Sequence, residues 1–327
     1  MSNMKIIVKK TTELSELEQY KILDLFNNVF KKNNTIERFR HQFFNTIIGY
    51  SYHVILYDDD IIAGCISYIP SYYLIKEKKY LAVQGADSMV RKDYRGIKLF
   101  KCHKDMRSSV NEYMRNDGVV FIIGFPNDTS YLMGIKTGNR RKIGELNVYA
   151  LPYRIGGIKL SLKIFNWLSI VSTRIYLFFN LCFASSKIYR FTIEKDLETY
   201  KKYCYYISDN KYILEEEIGG GFIYRIMMYH GTIRAAFLID VFEKSERNFI
   251  KAINYIIKKH SKEFDILIYV GRLPFKFNGL VKIPQFFMPR KFRFTGRILQ
   301  DNVISEDVFF VFDNWDINLS NFDLAIY

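Results

Sequence analysis

Gln84-Gly85-Ala86-Asp87-Ser88-Met89-Val90-Arg91-Lys92-Asp93-Tyr94-Arg95-Gly96-Ile97-Lys98-Leu99-Phe100 is the stretch of this sequence on which the fold turns. A strand end, a basic glycine-containing turn and a helix start follow one another directly. That succession aims free backbone N–H groups and the positive end of a helix dipole at one point, where a pyrophosphate fits. Strand, turn and helix with one glycine is also a common connection without a ligand, so the flanking sequence has to decide between the two.

Toward the N-terminus, Leu14 to Lys32 carries apolar residues at helical spacing (Leu17, Tyr20, Leu23, Leu25, Phe26, Val29, Phe30), and a second helical segment lies near Ile36 to Ile47. The period then changes. His53 to Tyr57 and Ile61 to Tyr68 are apolar runs joined by Asp58-Asp59-Asp60, a hairpin signal, and a third strand covers Tyr80 to Val90. Toward the C-terminus the turn Arg91 to Gly96 leads into a helix from about Leu99 to Arg115. A buried strand Val119 to Gly124, a short helix near Ser130 to Thr137 and a strand over Gly144 to Tyr149 follow. The order predicts a mixed α/β (α+β) unit of ordinary domain size.

From Ile158 to Phe191 the chain turns apolar and aromatic, but Lys163, Asn166, Arg174 and Asn180 interrupt the run. A spanning helix wants about 20 predominantly apolar residues, so the spacing predicts first a buried linker helix and second an interfacial amphipathic one. Beyond it, Gly221 to Tyr229 and Thr232 to Asp240 form a hairpin around His230-Gly231. A helix over Asn248 to Lys259 and a strand over Phe264 to Val270 repeat the first half in outline. The turn Val241-Phe242-Glu243-Lys244-Ser245-Glu246 is acidic and glycine-free, so it lacks what a phosphate loop needs. Gly219-Gly220-Gly221 precedes a strand and reads as a hairpin turn. The expected layout is a first domain over 1–153, an aromatic helical linker over 154–205 and a second domain over 206–327.

Composition narrows the class. With 327 residues, 49% hydrophobic and 25% charged, the chain has the mix of a folded globular protein. The formal net charge of +14 calls for an anionic partner: a CoA-type nucleotide, a nucleic acid or an anionic membrane surface. No run of five or six like charges occurs, so a nucleic-acid tail is not expected. The 17% aromatic content fits an A/T-rich coding bias and carries little functional weight. Cys65, Cys102, Cys182 and Cys204 have no C-x-x-C pair or regular spacing, which argues against a structural metal site or disulfide framework, and Met1 to Lys10 is too polar for a secretory signal. A reducing, cytoplasmic location is expected. Cys102 and His103, adjacent on a helix, point to different faces and are not expected to act as a nucleophilic pair.

Taken with Phe125-Pro126-Asn127-Asp128-Thr129-Ser130-Tyr131 and the close Thr137-Gly138-Asn139, the decisive stretch resembles the GNAT superfamily of acyl-CoA N-acyltransferases over about Lys5 to Tyr149. The family's pyrophosphate loop falls on Arg95 to Phe100 after the lead-in Lys92-Asp93-Tyr94-Arg95-Gly96, and its later Asn and Gly fall on Asn127 and Gly138. The resemblance implies a GNAT-like fold, in tandem with a degenerate second GNAT-like domain. It implies acetyl-CoA or another acyl-CoA as co-substrate, held by Met89, Val90, Arg91, Arg95, Gly96, Ile97, Lys98, Leu99 and Asn127, with no metal. Backbone N–H groups near Met89 to Arg91 would polarise the thioester. Asp87 is the first choice for base or amine anchor and Glu145 the second. Lys98 stands where the loop has a glycine, and Phe100 where it has a small residue: either Lys98 reaches the phosphates or the cofactor site is weakened. The family's general-acid tyrosine position is Gly134, with Tyr131 the nearest replacement.

Two-domain GNAT proteins of bacterial surface-polysaccharide contexts share the Phe-Pro-Asn and a terminal tryptophan segment like Asn314-Trp315-Asp316, which implies an amino-sugar or other cell-surface precursor amine as acceptor. A Fem-type transferase taking aminoacyl-tRNA, and a non-catalytic binding protein that keeps the fold, are the alternatives. Peripheral membrane contact through 158–191 and pairing of two copies of the chain complete the expected partners.

Overall fold

The computed structural model describes residues 4–95, 97–137, 140–196, 212–229, 231–288 and 291–321, without the side chains of 97–101 and 287. Gly96, Gly138, Asn139, His230 and Cys204 lie outside the described residues. The chain forms two compact units built from interleaved segments. Unit 1 comprises Met1–Gly144, Thr192–Ile207 and Phe292–Asn314, and unit 2 comprises Glu145–Phe191, Ser208–Lys291 and Trp315–Tyr327.

In unit 1, β1 (Met4–Lys10), β2 (Tyr52–Asp58), β3 (Ile61–Ile75), β4 (Lys78–Val90), β5 (Phe121–Gly124) and β13 (Phe292–Ile298) pair in that order. A short β7 (Ile193–Lys195) pairs with β3. All neighbours are antiparallel except β4 and β5, which are parallel because α3 (Ile97–Asn116) crosses between them. Period-2 alternation sends side chains to two cores. Val54, Leu56, Ile66, Tyr68 and Val83 meet Met106, Val110 and Met114 of α3 on one face. Ile55, Cys65, Ile69 and Met89 meet Ile22, Leu25, Phe39 and Phe43 of α1 (Glu16–Phe30) and α2 (Ile36–Phe44) on the other.

Local signals set the boundaries. Ser15 and Glu18 form a capping box at the start of α1, and Lys31, at φ 55°, ends it. Asp59, at φ 52°, makes the β2–β3 turn as expected of the Asp run. The strand β1 was not anticipated, since lysines dilute its apolar residues.

In unit 2 the order is β6 (Arg141–Pro152, from Glu145 onward), β11 (Ile266–Gly271), β10 (Ile233–Val241), β9 (Phe222–Tyr229) and β8 (Ile213–Glu215), with β12 (Val281–Lys282) also on β6. The hairpin β9–β10 is followed by α7 (Glu246–His260) and the parallel strand β11, the same strand-strand-helix-strand order as β3, β4, α3 and β5 in unit 1. The helix α7 buries Phe249, Ile250, Ile253, Ile256 and Ile257 in the core. After α4 (Asp128–Lys136) and the short α5 (Ile155–Ile158), α6 (Asn166–Phe183) corrects the expectation of a buried linker helix. It buries only Thr173 and Leu177, with Ile170 and Leu181 partly covered, while Trp167, Phe178 and Phe183 are each more than 60% exposed. A helix apolar all round can bury one stripe against a single layer, and the rest stays in contact with solvent. Among the described residues no helix is long and apolar enough to cross a membrane. The last helix, α8 (Glu306–Phe309), belongs to unit 1.

Candidate active site

Pairing between β4 and β5 is brief: Ala82 with Phe121, Val83 with Ile122 and Gln84 with Ile123. The strand β5 then ends at Gly124 while β4 runs on to Val90, so a slot opens beside the second half of β4. Inside that half the β3–β4 register slips. Cys65 faces Met89 and Ser67 faces Ala86, which leaves Asp87 and Ser88 opposite Ile66. Such a bulge turns adjacent side chains to new directions. Asp87 takes φ 41°, a backbone conformation rarely adopted by a residue other than glycine. It accepts a hydrogen bond from Gln42 Nε2 of α2 at 3.3 Å, whereas Ser88 Oγ lies 3.3 Å from His103 Nε2 of α3. The two neighbours thus serve opposite faces of the sheet.

The turn after β4 is held from both ends. The Arg91 N–H donates to Ala63 O at 2.9 Å, and Arg95 Nε donates to Val90 O at 3.2 Å. This corrects the expectation that Arg91 offers its N–H to a thioester, because that group is already in the ladder. Met89 is likewise paired, with Cys65. Antiparallel alternation directs the Val90 N–H away from β3, leaving it as the strand-end donor of the three. Arg91 and Arg95 are exposed and line a cleft of about 690 Å³ with Lys21, Asp24, Lys31 and Asp60. The helix α3 starts at Ile97 directly after this turn. Lys98, with Ile97 and Leu99, is in its first turn, but these side chains and Gly96 lie outside the described residues.

Asn127 is the N-cap of α4, its Oδ1 accepting from Ser130 N at 2.9 Å. Tyr131 lies beneath the Arg293 guanidinium, 4.6 Å from its ring centre, and Arg293 pairs with Asp128. Gly134, one turn on, is buried, and a Cβ there would lie 3.4 Å from Arg107 Nη1 and 3.7 Å from Arg140 Cβ. Glu145 belongs to unit 2, where it accepts from Gln285 Nε2 at 3.4 Å, and so is not among the residues that unit 1 brings together. Among the described residues no group of His, Cys, Asp or Glu could hold a metal ion.

Three residues to which the sequence assigned no site role stand out. Arg107 and His103 of α3 are 4% and 6% exposed, yet Arg107 Nε and Nη1 and His103 Nδ1 have no hydrogen-bond partner among the described residues. Arg140 lies over β4 and β5 on the face that α3 covers: a Cβ on Gly85 would overlap its Nη2, and one on Gly124 its Nη1. Burial, reinforced by Arg107 and Arg140, pushes His103 down to about 3, so it is neutral. Burial and then Arg140 lower Arg107 to about 10. Nothing in the sequence marks these cations, since an arginine at helical spacing reads as a solvated face.

Residues 10–135 match the family model of the acetyltransferase (GNAT) domain. Among solved structures the chain is similar to a probable N-acyltransferase from Enterococcus faecalis V583, described as a conserved protein of unknown function, at 14% identity over 90% of this chain and 73% of that one, with a TM-score of 0.53. It is also similar to GCN5-related N-acetyltransferases from Anabaena variabilis ATCC 29413 (11% identity, 90% and 73% covered, TM-score 0.55) and Kribbella flavida (11%, 91% and 71%, 0.56). No curated protein sequence matches. Residues 10–135 are therefore similar to a GNAT acetyltransferase domain, and the fold is that of the GNAT acyltransferases.

Proposed function

We propose that the protein transfers an acyl group, in the first instance acetyl, from acyl-CoA to a small amine by direct attack on the thioester. The observation that carries this reading is the opening between β4 and β5 beside a bulged strand end, followed at once by the Arg91–Arg95 turn and the start of α3. Arg91 and Arg95, with the first turn of α3, would hold the pyrophosphate. The Val90 N–H would stabilise the oxygen charge that develops as the amine nitrogen bonds to the carbonyl carbon. The C–S bond then breaks, and CoA leaves as the thiol.

The amine must first lose a proton, and Asp87 is the carboxylate at the bulge suited to accept it. Tyr131, one turn from Gly134, would return a proton to the departing sulfur. An amino sugar or other cell-surface polysaccharide precursor is the acceptor class we favour, on the resemblance carried by Phe125-Pro126-Asn127 and the Trp315 segment. The second unit, which repeats the strand-strand-helix-strand order, would be a degenerate copy of the first. Asp87→Asn should lower the transfer rate at least tenfold with CoA affinity unchanged, measured as kcat against the CoA dissociation constant; a full rate would make Asp87 merely structural.

We also read the exposed face of α6 and the turn before it as a contact with an anionic membrane surface. Leu160, Ile164, Trp167, Ile175, Phe178 and Phe183 are exposed there. Between Glu145 and Glu194 the sequence holds Arg154, Lys159, Lys163, Arg174, Lys187 and Arg190 and no acidic residue. Apolar and tryptophan side chains edged by cations match a bilayer interface with anionic headgroups. Sedimentation should show binding to phosphatidylserine-containing vesicles that high salt and Trp167→Ser both weaken. Self-association without vesicle binding would assign the face to a second copy of the chain instead.

A further inference from the structure

The cationic group in the slot of unit 1 has no counterpart in the proposed transfer chemistry. Arg107, Arg140 and His103 come from α3 and from the segment after α4, and all belong to unit 1. An unpaired charge this enclosed is expensive to bury. Tyr68 is hydrogen-bonded to Arg140 and eases part of that cost, but it brings no formal negative charge. Two guanidiniums that cannot satisfy one another, next to an imidazole that burial keeps neutral, form a ready receptor for an anion.

Gly85 and Gly124 each directly follow the last paired residues, Gln84 and Ile123, and share with Val83 and Ile122 the side of the sheet that α3 covers. The flat guanidinium of Arg140 lies over both glycines, where a Cβ on either would overlap it. A guanidinium edge offers two parallel N–H donors at the spacing of the two oxygens of a carboxylate. Arg107, close enough to Arg140 to feel its charge, adds Nε and Nη1 donors without partners among the described residues.

We propose that Arg140 and Arg107, at the point where β4 and β5 part, form a carboxylate-binding subsite that reads a negative charge on one of the two substrates. That carboxylate is carried either by the acyl group of a dicarboxylic acyl-CoA or by the amine acceptor. The assignment of source rests on the acyltransferase reading; the existence of the carboxylate site does not.

The test uses the whole protein. Thermal unfolding is followed with acetate or succinate, against chloride and sulfate at matched ionic strength, for the wild type and Arg140→Met. The carboxylates should raise the wild-type midpoint by about 2–4 °C more than the controls, and the variant should lose that increment. Arg107→Gln serves as the second variant should Arg140→Met fail to fold. Equal effects of carboxylate and chloride on the wild type overturn the site. Titration with succinyl-CoA and acetyl-CoA then locates the source. Binding of the succinyl compound about 10–100-fold tighter assigns the carboxylate to the acyl group, and equal binding beside a positive carboxylate shift assigns it to the acceptor. If neither CoA thioester binds, the acyltransferase reading fails while the acetate result still decides the subsite.

Discussion

The two units bury charge in opposite ways at comparable places. In unit 2, Asp240 at the end of β10, Lys244 in the turn that follows and Asp316 make an ion-paired set that is closed except at Asp316 Oδ1, which has no hydrogen-bond partner among the described residues. Lys244 Nζ lies 2.7 Å from Asp240 Oδ1 and 2.9 Å from Asp316 Oδ2, while Asn318 Nδ2 and Ser320 Oγ donate to Asp240 at 2.7 and 3.1 Å. Burial works against the charged lysine, but the two carboxylates outweigh it and hold Lys244 above its usual range. In unit 1 the equivalent strand end carries a bulge and a basic turn, and nearby Arg107 Nε and Nη1 have no hydrogen-bond partner among the described residues. A closed cluster holds a fold together, whereas an open one waits for something to close it.

Opening the closed cluster should have the largest effect. Asp240→Ala breaks one of the two ion pairs of the buried Lys244 and takes the acceptor from Asn318 Nδ2, and chemical unfolding should show a loss of about 3 kcal/mol. The reverse sign is expected in unit 1: Arg107→Met removes a buried charge whose Nε and Nη1 have no hydrogen-bond partner among the described residues, and should gain about 1–2 kcal/mol. If both substitutions destabilise alike, the contrast between the clusters is false.

A smaller effect is the pH dependence of unit 1. Burial lowers His53 to about 3, and burial with Arg107 and Arg140 does the same for His103. In the unfolded chain both imidazoles take up a proton near their ordinary value of about 6.5. Between these values the unfolded state binds more protons, so stability rises with pH from about 3 to 6.5 and levels off above. Over pH 5 to 6.5, where ordinary carboxylates hardly titrate, each histidine should contribute about 1.6 kcal/mol to the rise, and His103→Asn should remove about that much. A slope unchanged in that variant would place the proton uptake elsewhere.

Much of the fold could be read in advance because its signals are local. Apolar residues at helical spacing around Leu23 and Phe26, the Asp run at the β2–β3 turn and the glycine-containing turn after β4 each specify their own element. What escaped depends on contacts distant in sequence. The strand β13 joins unit 1 from nearly 170 residues beyond β5, and no periodicity announces a partner. Exposure of α6 could not be read from its composition, since apolar residues on every side suit a buried helix and an interfacial one equally. The candidate site divides the same way: Asp87 and Arg95 could be proposed from one continuous motif, whereas Arg107 and Arg140 acquire meaning only through Gly85, Gly124 and Gly134 beside them.

The central claim is that the turn after β4 binds an acyl-CoA. Calorimetric titration with acetyl-CoA tests it, with Arg95→Ala as the comparison. Micromolar binding by the wild type, weakened at least tenfold in the variant while the fold is retained, is the predicted result. No heat of binding in the wild type, or an affinity indifferent to Arg95, would contradict the account.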